Sequence, residues 1–390
     1  MKIAFFHNIP SGGAKRSAYE HIKGLSEKHN IDLYTIKGID GRFLPLTNFV
    51  KATFEFKENF LPETFFFLNP ILCFLNLYYS EMLARKIAQR INSGDYDIAY
   101  LTHCLPTPAP SILRYLRIPS IYYCQEPPRE FYEPQLLSKI DHYFSIWKKL
   151  QKIVSLPYKN IYKNIDRRNI KFAKKVLTNS FYSKKRIKEI YGIEAEVIYH
   201  GVDTDKFKPK TINKENTVIS VGALHWRKGH RYIIECLALL KNKPKLVIAS
   251  DREDKNEKGC LLNLAKLRNI EIEIYQNITP DEKLIELYNK AKLCVCAQYS
   301  EPFGLITLEA MSSGIPVVAV KEGGFVETIV NGETGILIER DLNEFSQAVS
   351  KLLENENLRK IYGEKAREYV IKNWSWDVSV EKLERVLLSC

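Results

Sequence analysis

The sequence predicts an α/β protein of two domains, each a doubly wound parallel sheet covered by helices. Three observations carry this reading. Short apolar runs alternate along the chain with stretches whose apolar residues fall three and four apart, the pattern of strands feeding crossover helices. The chain has 390 residues, more than one hydrophobic core usually serves. The alternation also runs through twice, with a polar, proline-broken pause between the two passes. No short repeat is visible, so the halves read as two similar domains and not as a solenoid.

In the first half, strands are expected at 2–6, 31–36, 97–101, 120–123, 175–178 and 196–199. Helical pattern falls between them, for example at 14–28 and 183–191. In the second half, strands are expected at 217–221, 246–249, 271–275, 293–297, 316–320 and 336–338. Helices are expected there at 229–240, 258–267, 281–290, 304–313 and 342–353. The boundary lies in 201–210, where Gly201-Val202-Asp203 and Lys206-Phe207-Lys208-Pro209-Lys210 interrupt both periods. The domains are therefore 1–205 and 206–375. A last helix over 376–390 follows the closely spaced Trp374 and Trp376.

Hydrophobic residues make up 45% and charged residues 27%, a globular composition that excludes a disordered chain. Eight cysteines occur without a Cys-x-x-Cys pair, which points to free thiols in a reduced, cytoplasmic setting. Cys294 and Cys296, two apart on one strand, read as core. The start, Met1-Lys2-Ile3-Ala4-Phe5-Phe6, reads as a first strand and not as a signal peptide. The formal net charge is +12 and uneven: residues 1–205 hold 30 Lys and Arg against 20 Asp and Glu, the rest 28 against 26. In 148–188 there are 14 basic residues and one acid, Asp166. With no nucleic-acid-binding signature beside it, this excess points to an anionic membrane surface, the inner face of a membrane for a cytoplasmic protein. It equally fits a solvated basic face. Residues 59–79 crowd Phe60, Phe65, Phe66, Phe67, Ile71, Phe74 and other apolar side chains, but Pro62, Glu63, Asn69, Pro70 and Asn76 break them. That excludes a comfortable membrane span. A buried helix-turn-helix and a surface patch meeting a membrane or lipid acceptor both remain open.

The densest constellation is Glu301-Pro302-Phe303-Gly304-Leu305-Ile306-Thr307-Leu308-Glu309, two carboxylates eight residues apart. The apolar run before it is a buried strand and the residues after Gly304 form a helix, so Glu301 stands at a strand's carboxyl end. The amides of Gly304 and Leu305 then open a helix, where free N–H groups and the dipole favour an anion such as a diphosphate. Glu309 lies in the first turns of that helix, within reach of a hydroxylated group. An anion cradle flanked by two acceptors suits a nucleotide-sugar. A second turn, Ser11-Gly12-Gly13, follows the first strand and lets backbone approach a ligand closely. The full Gly-x-Gly-x-x-Gly fingerprint is absent, against a dehydrogenase. Arg227-Lys228-Gly229 follows the first strand of the second domain. His103 stands just past another strand end, and Gln125-Glu126-Pro127-Pro128 past the next. Asp203-Thr204-Asp205 and Asp95-Tyr96-Asp97 fall in a linker and a strand lead, so no metal site is expected from them.

Glu301 and Glu309 with Phe303-Gly304 between them resemble the signature of retaining glycosyltransferases of the GT-B fold, the family numbered four. Lys228-Gly229, Gly323-Gly324 and Tyr199-His200-Gly201-Val202-Asp203 extend the resemblance over nearly the whole chain. The fold it implies is two Rossmann-like domains facing across a cleft that holds the active site, with the last helix, 376–390, packing back on the first domain. The reaction it implies is metal-independent, cofactor-free transfer of a sugar, with retention, from a UDP- or GDP-sugar to a glycan or lipid-linked acceptor. Glu301, with His103, would face the donor sugar and Glu309 the ribose. Lys228, Arg227, Gly13 and the amides of Gly304 and Leu305 would surround the diphosphate, and Phe303 would also lie on the donor side. Gln125 and Glu126 would lie on the acceptor side. Where relatives carry an arginine, this chain has Ala223, so Arg227 is the candidate substitute cation. A nucleotide-sugar epimerase or hydrolase on the same fold, and a non-enzymatic peripheral membrane or nucleic-acid-binding protein, are the alternatives.

Overall fold

The computed structural model describes residues 1–41, 43–58, 70–104, 107–133, 156–251, 253–278 and 281–390. They form two compact units. The first comprises Met1–Asn179, Ser183–Tyr199 and Val380–Cys390, and the second Ser180–Tyr182 and His200–Ser379.

The first unit holds a seven-stranded sheet of β1 (Lys2–His7), β2 (Asn30–Ile36), β3 (Ala52–Phe56), β4 (Ile98–Leu101), β5 (Ser120–Tyr123), β6 (Lys175–Thr178) and β7 (Glu196–Val197). Their order is β3-β2-β1-β4-β5-β6-β7, and every pair is parallel. Strand period sorts the core into two layers. Ala4, Phe6, Tyr34, Ile36, Ala99 and Leu101 meet Ala84, Ile87, Ala88 and Ile91 of the helix Pro70–Asn92 on one face. Ile3, Phe5, Leu33, Ile98 and Tyr100 meet Ala18, Ile22 and Leu25 of the helix Gly13–Leu25 on the other. Leu383, Val386 and Leu387 of the last helix, Trp376–Leu388, join that second layer.

The second unit holds β8 (Thr217–Val221), β9 (Lys245–Ala249), β10 (Ile272–Tyr275), β11 (Leu293–Cys296), β12 (Val317–Val320) and β13 (Gly335–Ile338). Their order is β10-β9-β8-β11-β12-β13, again all parallel. The strands β11 and β12 are buried on both faces, as a parallel sheet under two helical layers requires. Both sheets are thus doubly wound, as the alternation predicted.

Two differences concern the first unit. The edge strand β3 escaped the sequence reading because it alternates half-buried with exposed positions, and Glu55 breaks its apolar run. In the apolar segment 59–79, residues 59–69 lie outside the described ones. From Pro70 the chain is a 23-residue helix. Cys73, Asn76 and Leu77 are buried, while Phe74, Leu75, Tyr78 and Tyr79 are 36–60% exposed, so this part serves core and surface together. No helix among the described residues is long and apolar enough to cross a membrane.

Candidate nucleotide-sugar site

In the second sheet the strand order reverses between β8 and β11, and the carboxyl ends of such neighbours frame the ligand crevice of an open α/β sheet. The loops leaving these two strands carry Lys228 and Glu301. Lys228 Nζ donates to Glu301 Oε2 at 2.8 Å, and both side chains remain partly open to solvent. The turn Trp226–Lys228 brings the lysine back over β8, its stem running 3.1 Å from where a Cβ on Gly222 would lie.

The Glu301 loop is fixed from three sides. Arg340, just past β13, donates to the carbonyls of Ala297 at 3.0 Å and Gln298 at 3.1 Å. Its guanidinium lies 3.7 Å from the centre of the Tyr299 ring and pairs with Glu322 at 2.6 Å. Glu322 in turn accepts from the Ser300 amide at 3.2 Å. Gly323, at φ +59°, comes so close that a Cβ would lie 2.1 Å from the Glu301 carbonyl oxygen. The Gly324 amide donates to that carbonyl at 2.7 Å.

Gly304, at φ +93°, turns the chain into the helix Leu305–Ser312, whose start has no side-chain cap. Its first amides therefore remain available to an anion. Glu309 lies one turn in, 5% exposed, with its Oε2 accepting from the Tyr288 hydroxyl at 3.1 Å. The Phe303 ring is buried, packed edge-on against His200 at 5.0 Å and near Trp374 at 5.6 Å. Arg227 is tied through its backbone: its amide donates to His225 Nδ1 at 3.3 Å and its carbonyl accepts from the Tyr299 amide at 2.9 Å. Its guanidinium joins no ion pair among the described residues.

The first sheet has its own reversal, between β1 and β4. Gly12, at φ +86°, precedes the helix that Gly13 opens, and His103 follows β4. Burial lowers the His103 pKa to about 4, which keeps the imidazole neutral near pH 7. Gln125, after β5, donates through Nε2 to the Ala14 carbonyl at 3.3 Å, so it and the glycine turn lie together. Glu126 is paired with Arg129 at 2.7 Å. Beneath the turn sits a buried cluster. His7 Nδ1 accepts from the Ile9 amide at 3.3 Å, which leaves its Nε2–H to face Asp40 Oδ1 at 3.4 Å. Lys15 donates to the same carboxylate, and the Leu46 amide donates to its other oxygen at 2.9 Å. Burial pushes Asp40 up, but the bonds from His7 and Lys15 outweigh it and hold the carboxyl at about 2. Burial likewise lowers His7 to about 4.

The sequence matches the family model Glycosyltransferase Family 4 over residues 11–206 and the model Glycosyl transferases group 1 over residues 201–369. The chain belongs to glycosyltransferase family 4. Among its relatives are D-inositol 3-phosphate glycosyltransferases, 38% identical over 108 residues in Corynebacterium diphtheriae and 30% identical over 212 residues in Corynebacterium jeikeium. Those matches cover 27% and 49% of this chain, and only 25% and 50% of the relatives' length. An uncharacterised glycosyltransferase of Methanocaldococcus jannaschii is 27% identical over 418 residues, covering 99% of this chain and 98% of its own. Among solved structures, sucrose-phosphate synthase from Thermosynechococcus elongatus superposes with a TM-score of 0.77 at 17% identity, covering 100% of this chain and 98% of its own. Anabaena HepE in complex with UDP and glucose superposes with a TM-score of 0.73 at 19% identity, covering all of both chains. These likenesses establish the shared GT-B fold of two Rossmann-like domains.

In the second unit Lys228 pairs with Glu301, and Gly304, Leu305 and Glu309 follow on the same loop and helix, while in the first Gly13 and His103 follow the neighbouring strands β1 and β4 and Gln125 reaches Ala14. Six residues beside these positions were not visible from sequence. Arg340 and Glu322 are ordinary surface charges until β13 and β12 bring them beside the Glu301 loop. Tyr288 looks like one more apolar position of an amphipathic helix. The His7, Lys15 and Asp40 cluster joins residues from three separate segments, with no spacing to announce it.

Proposed function

We propose that this protein is a retaining glycosyltransferase that moves a sugar from a UDP- or GDP-sugar to a glycan or lipid-linked acceptor. One observation carries the reading: Lys228 and Glu301 form a partly open ion pair at the carboxyl ends of β8 and β11, beside an uncapped helix start. As the bond from the anomeric carbon to the diphosphate breaks, negative charge grows on the phosphate oxygens. Lys228 and the amides of Gly304 and Leu305 are the groups to stabilise it, since preorganised donors aimed at developing charge lower the barrier most. Glu301 would hold sugar hydroxyls and Glu309 the ribose. The acceptor hydroxyl would attack on the face the diphosphate leaves and give its proton to a phosphate oxygen, so no protein nucleophile is assigned. His103, kept neutral by burial, would serve as a hydrogen-bond partner to the sugar. Gly13 would serve the donor diphosphate, and Gln125 with Glu126 the acceptor side. Arg227 remains the substitute for the cation missing at Ala223. With a lysine and a helix dipole neutralising the diphosphate, the reaction is proposed to need no metal ion.

Peripheral attachment of the first unit to an anionic membrane is proposed alongside. It rests on Phe74, Leu75, Tyr78 and Tyr79 exposed on one helix and on the basic residues of the helix Leu156–Ile170, which packs near it through Tyr158 and Tyr162.

The test is release of nucleoside diphosphate from UDP-, GDP- and ADP-sugars, with and without acceptor, followed by the anomeric proton coupling of the product. Acceptor-dependent release with a retained anomeric configuration is expected. Release at the same rate without any acceptor would move the reading to a hydrolase, conversion of the donor to another nucleotide-sugar without release would move it to an epimerase, and an inverted product would remove the same-face mechanism.

A further inference from the structure

Glu309 is a carboxylate almost fully withdrawn from water, and a buried carboxylate persists only with donors aimed at it. One of those donors is a phenol. Tyr288, on the helix Asp281–Lys290, is fully buried and packs edge-on to Phe207 with ring centres 6.3 Å apart. Its hydroxyl lies 3.1 Å from Glu309 Oε2 and 3.4 Å from the Ile306 carbonyl oxygen. A phenol has one proton to give, and at 3.1 Å it is placed to donate it to Glu309 Oε2. Burial and the neighbouring Glu309 charge push the phenol well above its usual range, so the proton stays on Tyr288. Glu309 itself sits on a helix of eight residues and could adopt other rotamers. The bond comes from a separate helix, through a fully buried side chain.

We propose that Tyr288 is the positioning residue of Glu309, holding its carboxylate in the orientation that receives the ribose hydroxyls of the nucleotide. This rests on the assignment of Glu309 to the ribose made above. Tyr288 touches no substrate. Its effect belongs to the ribose contact alone, and that separates it from a residue that merely packs.

Calorimetric titration of wild type, Tyr288→Phe and Glu309→Gln with UDP and GDP, and with their 2′-deoxy and 3′-deoxy forms, tests this. Wild type is expected to bind the ribose form of its nucleotide about tenfold more tightly than the deoxy form, the size of one charge-assisted hydrogen bond. Glu309→Gln should erase that preference. Tyr288→Phe, which keeps the ring and removes only the hydroxyl, should cut it to about threefold or less. Its affinity for the deoxy form should stay at the wild-type value. A Glu309→Gln protein with the wild-type preference, or a wild type that binds neither UDP nor GDP, would end the ribose reading and this proposal with it. Erasure by Glu309→Gln with an unchanged preference in Tyr288→Phe would overturn the role of Tyr288 alone. Equal weakening of both forms in Tyr288→Phe would overturn it too, because only a packing role acts that way.

Discussion

Lys228 and Glu309 differ in how they would serve the proposed site. Lys228 is partly open and paired with Glu301, so a diphosphate can compete for its ammonium without first uncovering it. Glu309 is buried beside Tyr288, and a ligand must satisfy what the fold has already oriented. Glu309→Ala is therefore expected to weaken binding of the nucleoside diphosphate by about 1–3 kcal/mol, the cost of stranding buried hydrogen-bond partners. The fold should stay intact but melt at a lower temperature, because the buried Tyr288 hydroxyl loses its acceptor. Calorimetry beside a thermal melt checks both; an unchanged affinity would take Glu309 out of the site.

At the scale of elements, the site depends on close backbone approaches that only glycine permits. Gly323 combines a positive φ with a gap of 2.1 Å from a notional Cβ to the Glu301 carbonyl oxygen. Gly323→Ala would have to move the Glu301 loop or the turn itself. The strained φ alone is expected to cost roughly 1–3 kcal/mol. Turnover should fall by more than that loss of stability explains, which urea unfolding set beside kcat would reveal. An alanine variant with wild-type kcat would mean that this turn does not set the Glu301 position. Much of this scale was legible in advance. Runs such as Leu293–Cys296 and Val317–Val320 are buried on both faces and read as strands without help from the fold. The loop from Glu301 to Glu309 was legible for the same reason, since a strand, a glycine turn and a helix are each local. Arg340, Glu322 and Tyr288 were not, because their roles arise from packing between distant segments. The edge strand β3 escaped because half of its positions face water.

At the scale of the whole molecule, charge and buried imidazoles set the response to solution conditions. His7 and His21 in the first unit and His230 in the second are buried, and burial lowers all three, His7 and His230 to about 4 and His21 to about 3. Their unfolded value is near 6.5. Between pH 6.5 and about 4 the unfolded chain takes up protons that the folded chain refuses, so stability present above pH 6.5 is lost as pH falls through that window. Urea midpoints should drop steadily from pH 7 to pH 4.5, and a flat profile would show that these imidazoles are charged in the fold. Membrane attachment is expected to be reversible. Anionic liposomes should sediment the protein at low salt and release most of it at 1 M, where screening shortens to about 3 Å. Binding that survives salt would assign the remainder to the exposed aromatic residues from Phe74 to Tyr79, and no binding to any vesicle would leave the basic residues as a solvated face. The central claim is that a lysine, and not a metal ion, neutralises the leaving diphosphate. Its most direct test is nucleoside diphosphate release from the preferred donor with acceptor and excess EDTA, wild type beside Lys228→Met. Full wild-type turnover is expected in EDTA, with a loss of about 100-fold in Lys228→Met. A Lys228→Met enzyme with wild-type turnover would contradict it.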